Sequence, residues 1–151
     1  MHDDAIPVLN ELIETSKDGE KGFAKAAQDT RSAELRTLFT TGAQRCAEGA
    51  RELQDLVRQL GGNPDQTGSV TGALHRGWIS VKEAVVARDD EAILEEVERG
   101  EDYAKEAYRT AVQQDLPANV KAVVQRQYHG VVANHDKVKA MRERYRSGKR
   151  S

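Results

Sequence analysis

The chain has 151 residues, 38% of them hydrophobic and 32% charged, enough apolar material for one core beneath a heavily charged surface. Its formal net charge of -2 leaves no basic excess to neutralise phosphates, which argues against wholesale nucleic-acid binding. A single cysteine, Cys46, excludes an internal disulfide framework and fits a reducing compartment.

The opening residues, MHDDAIPVLNEL, carry neither a basic region nor an apolar one, so no secretory signal is read there. No apolar run approaches the ~18 residues of a membrane span. These features predict a soluble, cytoplasmic protein that does not enter the membrane.

Helix-favouring residues dominate, and apolar side chains recur at helical spacing in four places. The first segment runs from about Ile6 to Asp29, with Leu9, Leu12, Ile13, Phe23 and Ala27 along one stripe. Thr30-Arg31-Ser32 breaks it, and Ser32 is placed to cap the next helix. That second helix runs from about Ala33 to Leu60 and stops at Gly61-Gly62-Asn63-Pro64. The third spans about Asp90 to Gln114, with Asp89 or Asp90 as its cap. Leu116-Pro117 separates it from a fourth helix, about Ala118 to Tyr145, whose stripe includes Val120, Val124, Val131, His135, Val138 and Met141. Residues 1–146 read as a single domain and residues 147–151 as a frayed basic tail.

The connections set the expected topology. Helices one and two, and helices three and four, are joined by short links, so each pair forms an antiparallel hairpin. The stretch from Gly61 to Asp89 is long enough to carry the chain back along the bundle. Part of it, about Val70 to Ala87, is itself helix-like, with Leu74, Trp78, Val81 and Val85 on one side. The fold class predicted is therefore all-α: a ferritin-like four-helix bundle with a long, partly helical crossover between helices two and three, which run parallel.

Five segments stand out in this frame: Lys17-Asp18-Gly19, Gly61-Gly62-Asn63-Pro64, His75-Arg76-Gly77-Trp78, Glu98-Arg99-Gly100-Glu101-Asp102 and His135-Asp136. In this order and spacing they resemble a proteobacterial family of ferritin-like four-helix-bundle proteins known chiefly as a domain of unknown function. The resemblance runs from about Pro7 to Arg142. It implies a bacterial cytoplasmic protein tied to stress responses, and it names no substrate.

A di-iron carboxylate bundle needs Glu-x-x-His pairs on two helices, because residues three apart aim at the metals from one face. The histidines are His2, His75, His129 and His135, and the residues three before the last three are Gly72, Arg126 and Val132. No Glu-x-x-His exists, so a conventional di-iron centre is not expected. What remains is a reduced cluster. Glu101 falls at a core position of the third helix, with Glu98 one turn earlier. His135 sits on the inner stripe of helix four, level with Glu98 when counted from the turn near Leu116. Asp18 or Glu20 of helix one, and Gln44 of helix two, come at similar depth. The candidate metal residues are thus Glu98, Glu101, His135, Asp18 and Glu20, for iron, manganese or zinc. The competing reading is a buried ion-pair network that fixes helix register.

Other residues read as structural. Trp78 packs the crossover, Cys46 is a small core residue among close-packing glycines and alanines, and the tyrosines near the helix stripes are packing residues. No catalytic residue and no cofactor-binding motif is identified. The leading expectation is a non-catalytic structural or interaction protein that self-associates as a homo-oligomer. A metal-binding bundle is the alternative.

Overall fold

The computed structural model describes residues 5–64 and 89–150. Within them lie four helices and no strand: α1 (Ala5–Asp29), α2 (Ala33–Gln59), α3 (Asp90–Val112) and α4 (Ala118–Arg150). The helix-like stretch 70–87, with His75 and Trp78, falls outside the described residues, as does His2.

Local chemistry sets the helix ends. Ser32 takes an extended backbone and its hydroxyl accepts from Leu35 N at 3.2 Å, capping α2 as its sequence position predicts. At the other end Gly61 adopts φ +84, a left-handed conformation that side chains resist. Its N–H donates to Arg58 O at 3.0 Å, and the Gly62 N–H donates to Val57 O at 2.9 Å. That pair of bonds is the Schellman arrangement, and it satisfies carbonyls the helix leaves open.

The two adjacent aspartates before α3 divide their work. Asp89 caps the helix, accepting from Glu91 N and Ala92 N. Asp90 instead accepts from the Thr30 hydroxyl at 2.6 Å and from Arg31 N at 3.3 Å. It thereby fastens the start of α3 to the α1–α2 turn. Arg36 donates to Thr30 O and Ala27 O, closing the C-terminal end of α1.

Contacts between helices give their directions. Thr30 at the end of α1 meets Asp90 at the start of α3, while Ser16 in mid-α1 meets Tyr108 further along α3, so these two helices are antiparallel. Glu34 pairs with Arg144 and Glu52 with Arg126, so α2 and α4 are antiparallel too. With a hairpin on each side, α2 and α3 run parallel, on a diagonal of the bundle. Helix α4 continues to Arg150, beyond the Tyr145 where the apolar stripe ends. Its last turns are tied down by Arg142 to Glu98, Arg144 to Glu34, and Arg146 to Glu91 and Glu95.

The core divides into two apolar clusters. One, at the α1–α2 turn, contains Phe23, Leu35, Phe39, Ile93, Val97 and Val138. The other, at the far end, contains Leu9, Leu12, Leu53, Val57, Val120 and Val124. Burial of this apolar surface is the main favourable term in folding, and truncating such a leucine to alanine costs about 2–5 kcal/mol. Between the clusters all four helices contribute polar or small residues. Ser16, Asp18, Glu101, Asn134 and His135 are all buried there. This polar layer holds the candidate functional groups.

Candidate functional site

Helix α3 presents two carboxylates to α4. Glu98 and Asp102 are four residues apart and share a face. His135 of α4 lies opposite, its side chain 9% exposed. Ligand atoms from Glu98, Asp102 and His135 all lie within 4.8 Å of one another, the one such group of three among the described residues. The two ring nitrogens of His135 have different partners: Nε2 faces Asp102, and Nδ1 faces the Asp136 carboxylate at 3.5 Å. Glu98 Oε2 lies 2.6 Å from Arg142 Nε, as a charge pair in which neither atom makes an aligned hydrogen bond.

Glu101 points elsewhere. Helical geometry turns successive residues by ~100°, so Glu101 enters the bundle while Asp102, with 59% of its side chain exposed, stays at the rim. Glu101 is 1% exposed. Its Oε1 accepts from Arg45 Nη2 at 3.0 Å and from Asn134 Nδ2 at 3.1 Å. Its Oε2 is buried and has no hydrogen-bond partner. Burial pushes the Glu101 carboxyl above the usual carboxylate range, opposed first by Arg45 and then by the Asn134 hydrogen bond. The Arg45–Glu101 pair spans the diagonal between α2 and α3, as a device that fixes their relative position would.

Of the residues singled out from sequence, Glu98 and His135 come together. Glu101, Asp18 and Glu20 do not belong to their group. Asp18 is buried on α1, and Glu20 is half-buried. Gln44 is exposed, and the neighbouring Arg45 takes the inward position on α2. The residue that sequence reasoning passed over is Asp102. Its signal was the four-residue spacing from Glu98, outweighed by the core position of Glu101.

A second set of hydrogen bonds lies below. The Tyr108 hydroxyl donates to Gln127 Oε1 at 2.7 Å and stands 3.3 Å from the Ser16 hydroxyl. Gln127 Nε2 in turn donates to Glu52 Oε1 at 2.8 Å and to Gly49 O at 3.3 Å. Burial pushes the Tyr108 phenol up to about 12. Burial likewise pushes the Cys46 thiol up to about 12, with Glu101 and Glu20 adding to the rise and Arg45 opposing it. A thiol so placed is a weak nucleophile.

The described structure is thus that of a helical bundle with a carboxylate–histidine cluster where α3 meets α4. The chain belongs to the family described as a domain of unknown function, DUF2383, whose model matches residues 4–114. That span covers α1 to α3, while α4, with His135, follows it. No curated protein matches the chain. Among the described residues, no helix is long and apolar enough to cross a membrane.

Proposed function

We propose that this protein is a ferritin-like bundle that binds one divalent metal ion, iron, manganese or zinc, at Glu98, Asp102 and His135. The observation that carries this reading is the convergence of three ligand atoms from two helices. Two carboxylates and one imidazole form a mixed oxygen and nitrogen donor set suited to these ions. Asp136 gives His135 the carboxylate partner that metal-bound histidines usually have: with Nδ1–H donating to Asp136, the Nε2 lone pair faces Asp102, and an ion held between them would replace their direct contact. Around the cluster three carboxylates face one guanidinium, Arg142, so local charge favours a cation. The helix directions, with α2 and α3 parallel, support the ferritin-like reading of the fold.

The cluster offers one set of three convergent ligand atoms, and the sequence has no Glu-x-x-His to build a pair. The function proposed is therefore binding, without a di-metal reaction. Residues Glu101 and Asp18 then take no part in holding the ion.

The test is elemental analysis of untagged protein, followed by thermal unfolding with Fe(II), Mn(II) or Zn(II). An ion that binds the folded state alone raises the melting temperature by mass action. His135→Ala should abolish that rise. A metal-free protein whose melting temperature none of the three ions changes would leave the cluster as a register-fixing network.

A further inference from the structure

We propose that the bundle holds a second binding site, independent of the Glu98–Asp102–His135 cluster, that takes a small organic cation of the aliphatic primary-amine class. The site is a cavity of about 420 Å³ in the middle of the bundle. All four helices line it. Its inner wall is made by buried residues of α1 and α3, among them Ser16, Glu101 and Tyr108. The lining groups that reach solvent, such as Glu48 and Arg126, belong to α2 and α4, so the mouth lies between those two helices. Small residues keep it open. A Cβ on Gly49 would come no nearer than 3.6 Å to Gln127, and one on Gly130 no nearer than 3.8 Å to Arg45.

The lining charges select the ligand. Both cations are already engaged, Arg45 with Glu101 and Arg126 with Glu52. Two acidic groups keep free capacity: Glu101 Oε2 on the inner wall has no partner, and Glu48 at the rim forms no ion pair among the described residues. With Glu101 ionised, the lining carries an excess of negative charge and a buried acceptor without a donor. Leaving such an acceptor unsatisfied is costly, and an ammonium group would supply the missing hydrogen bond.

A metal ion fits less well. Glu48, Glu52 and Glu101 form no convergent group of ligand atoms, so a point charge cannot reach them together. An extended cation can, with an ammonium at Glu101, a second charge towards Glu48, and methylenes against Ala104 and Val131. Arg45 Nε, also buried and without a partner, adds a donor for an oxygen on a larger ligand.

The experiment is isothermal titration of the full, metal-free chain with 1,4-diaminobutane. Butylamine, 1,4-butanediol and sodium chloride at matched ionic strength serve as controls. Saturable one-to-one binding of the diamine is expected, weaker for butylamine and absent for the diol. Glu101→Gln should weaken binding at least about tenfold, the worth of one charge-assisted hydrogen bond. Glu48→Gln, at the exposed rim, should weaken it about two- to fivefold. His135→Ala should leave it unchanged, which separates this site from the metal cluster. Should Glu101→Gln fail to fold, Gly130→Leu tests the same claim by filling the mouth, and it should abolish binding. No saturable heat with the diamine, equal binding of the diol, or undiminished binding in either folded variant would overturn the proposal.

Discussion

Gly19 of α1 and Cys46 of α2 approach so closely that a Cβ on the glycine would lie 2.8 Å from the cysteine sulfur. The approach sits in the polar layer, beside Glu101 and Arg45, and it sets how near α1 and α2 come at that level. Nothing larger than glycine fits opposite the sulfur unless the Cys46 side chain turns away or a helix shifts.

That contact gives a mutational cycle with a sign change. Gly19→Ala alone should destabilise the protein by about 1–3 kcal/mol through overpacking. In a Cys46→Ala background the sulfur is gone, and alanine's helix propensity, worth about 1 kcal/mol over glycine, should make the same change neutral or stabilising. Urea unfolding of the four proteins measures the coupling. Equal effects of Gly19→Ala in both backgrounds would contradict the packing described.

Burial of Cys46 predicts slow alkylation in the native state. With its thiol pushed up to about 12, the thiolate is scarce at mildly alkaline pH. Iodoacetamide should modify the folded protein far more slowly than the urea-unfolded chain, whose thiol titrates near ~8.5. The native rate should still be rising with pH where the unfolded rate has levelled off. Equal rates in the two states would show an exposed, ordinary thiol.

Glu101 should leave a signature in the pH dependence of stability. At low pH both folded and unfolded chains hold its proton, so it adds no slope. As pH rises through the ordinary carboxylate value, the unfolded chain loses the proton first, because the folded carboxyl is raised. The folded state then binds more protons, and stability falls with rising pH until the folded group ionises. Glu101→Gln removes this contribution. Unfolding in chelator from about pH 4 to about pH 8 should therefore show the wild type losing stability relative to the variant. A difference that stays constant with pH would contradict the raised value.

Much of the fold was legible because local rules govern it. Ser32, Gly61 and Asp89 mark helix ends by their own chemistry, and Leu9, Phe39, Val97 and Val138 reveal the buried faces by periodicity. The parallel course of α2 and α3 followed from the lengths of the connections. The cluster was only half legible. Helical period identifies the inward side of α3, and Glu101 does lie there. It cannot tell that Asp102, beside that stripe, reaches His135 at the rim while Glu101 turns inward to Arg45 and Asn134. Arg45 was missed for a similar reason: its partner, Glu101, is on a helix distant in sequence and diagonal in space.

The choice between those two acidic residues tests the central claim most directly. Isothermal titration of chelator-treated protein with Zn(II) should show one site in the wild type. The site should be lost in Asp102→Asn and retained in Glu101→Gln, because only Asp102 stands with Glu98 and His135. No binding by the wild type, or binding that Asp102→Asn leaves unchanged, would contradict the assignment.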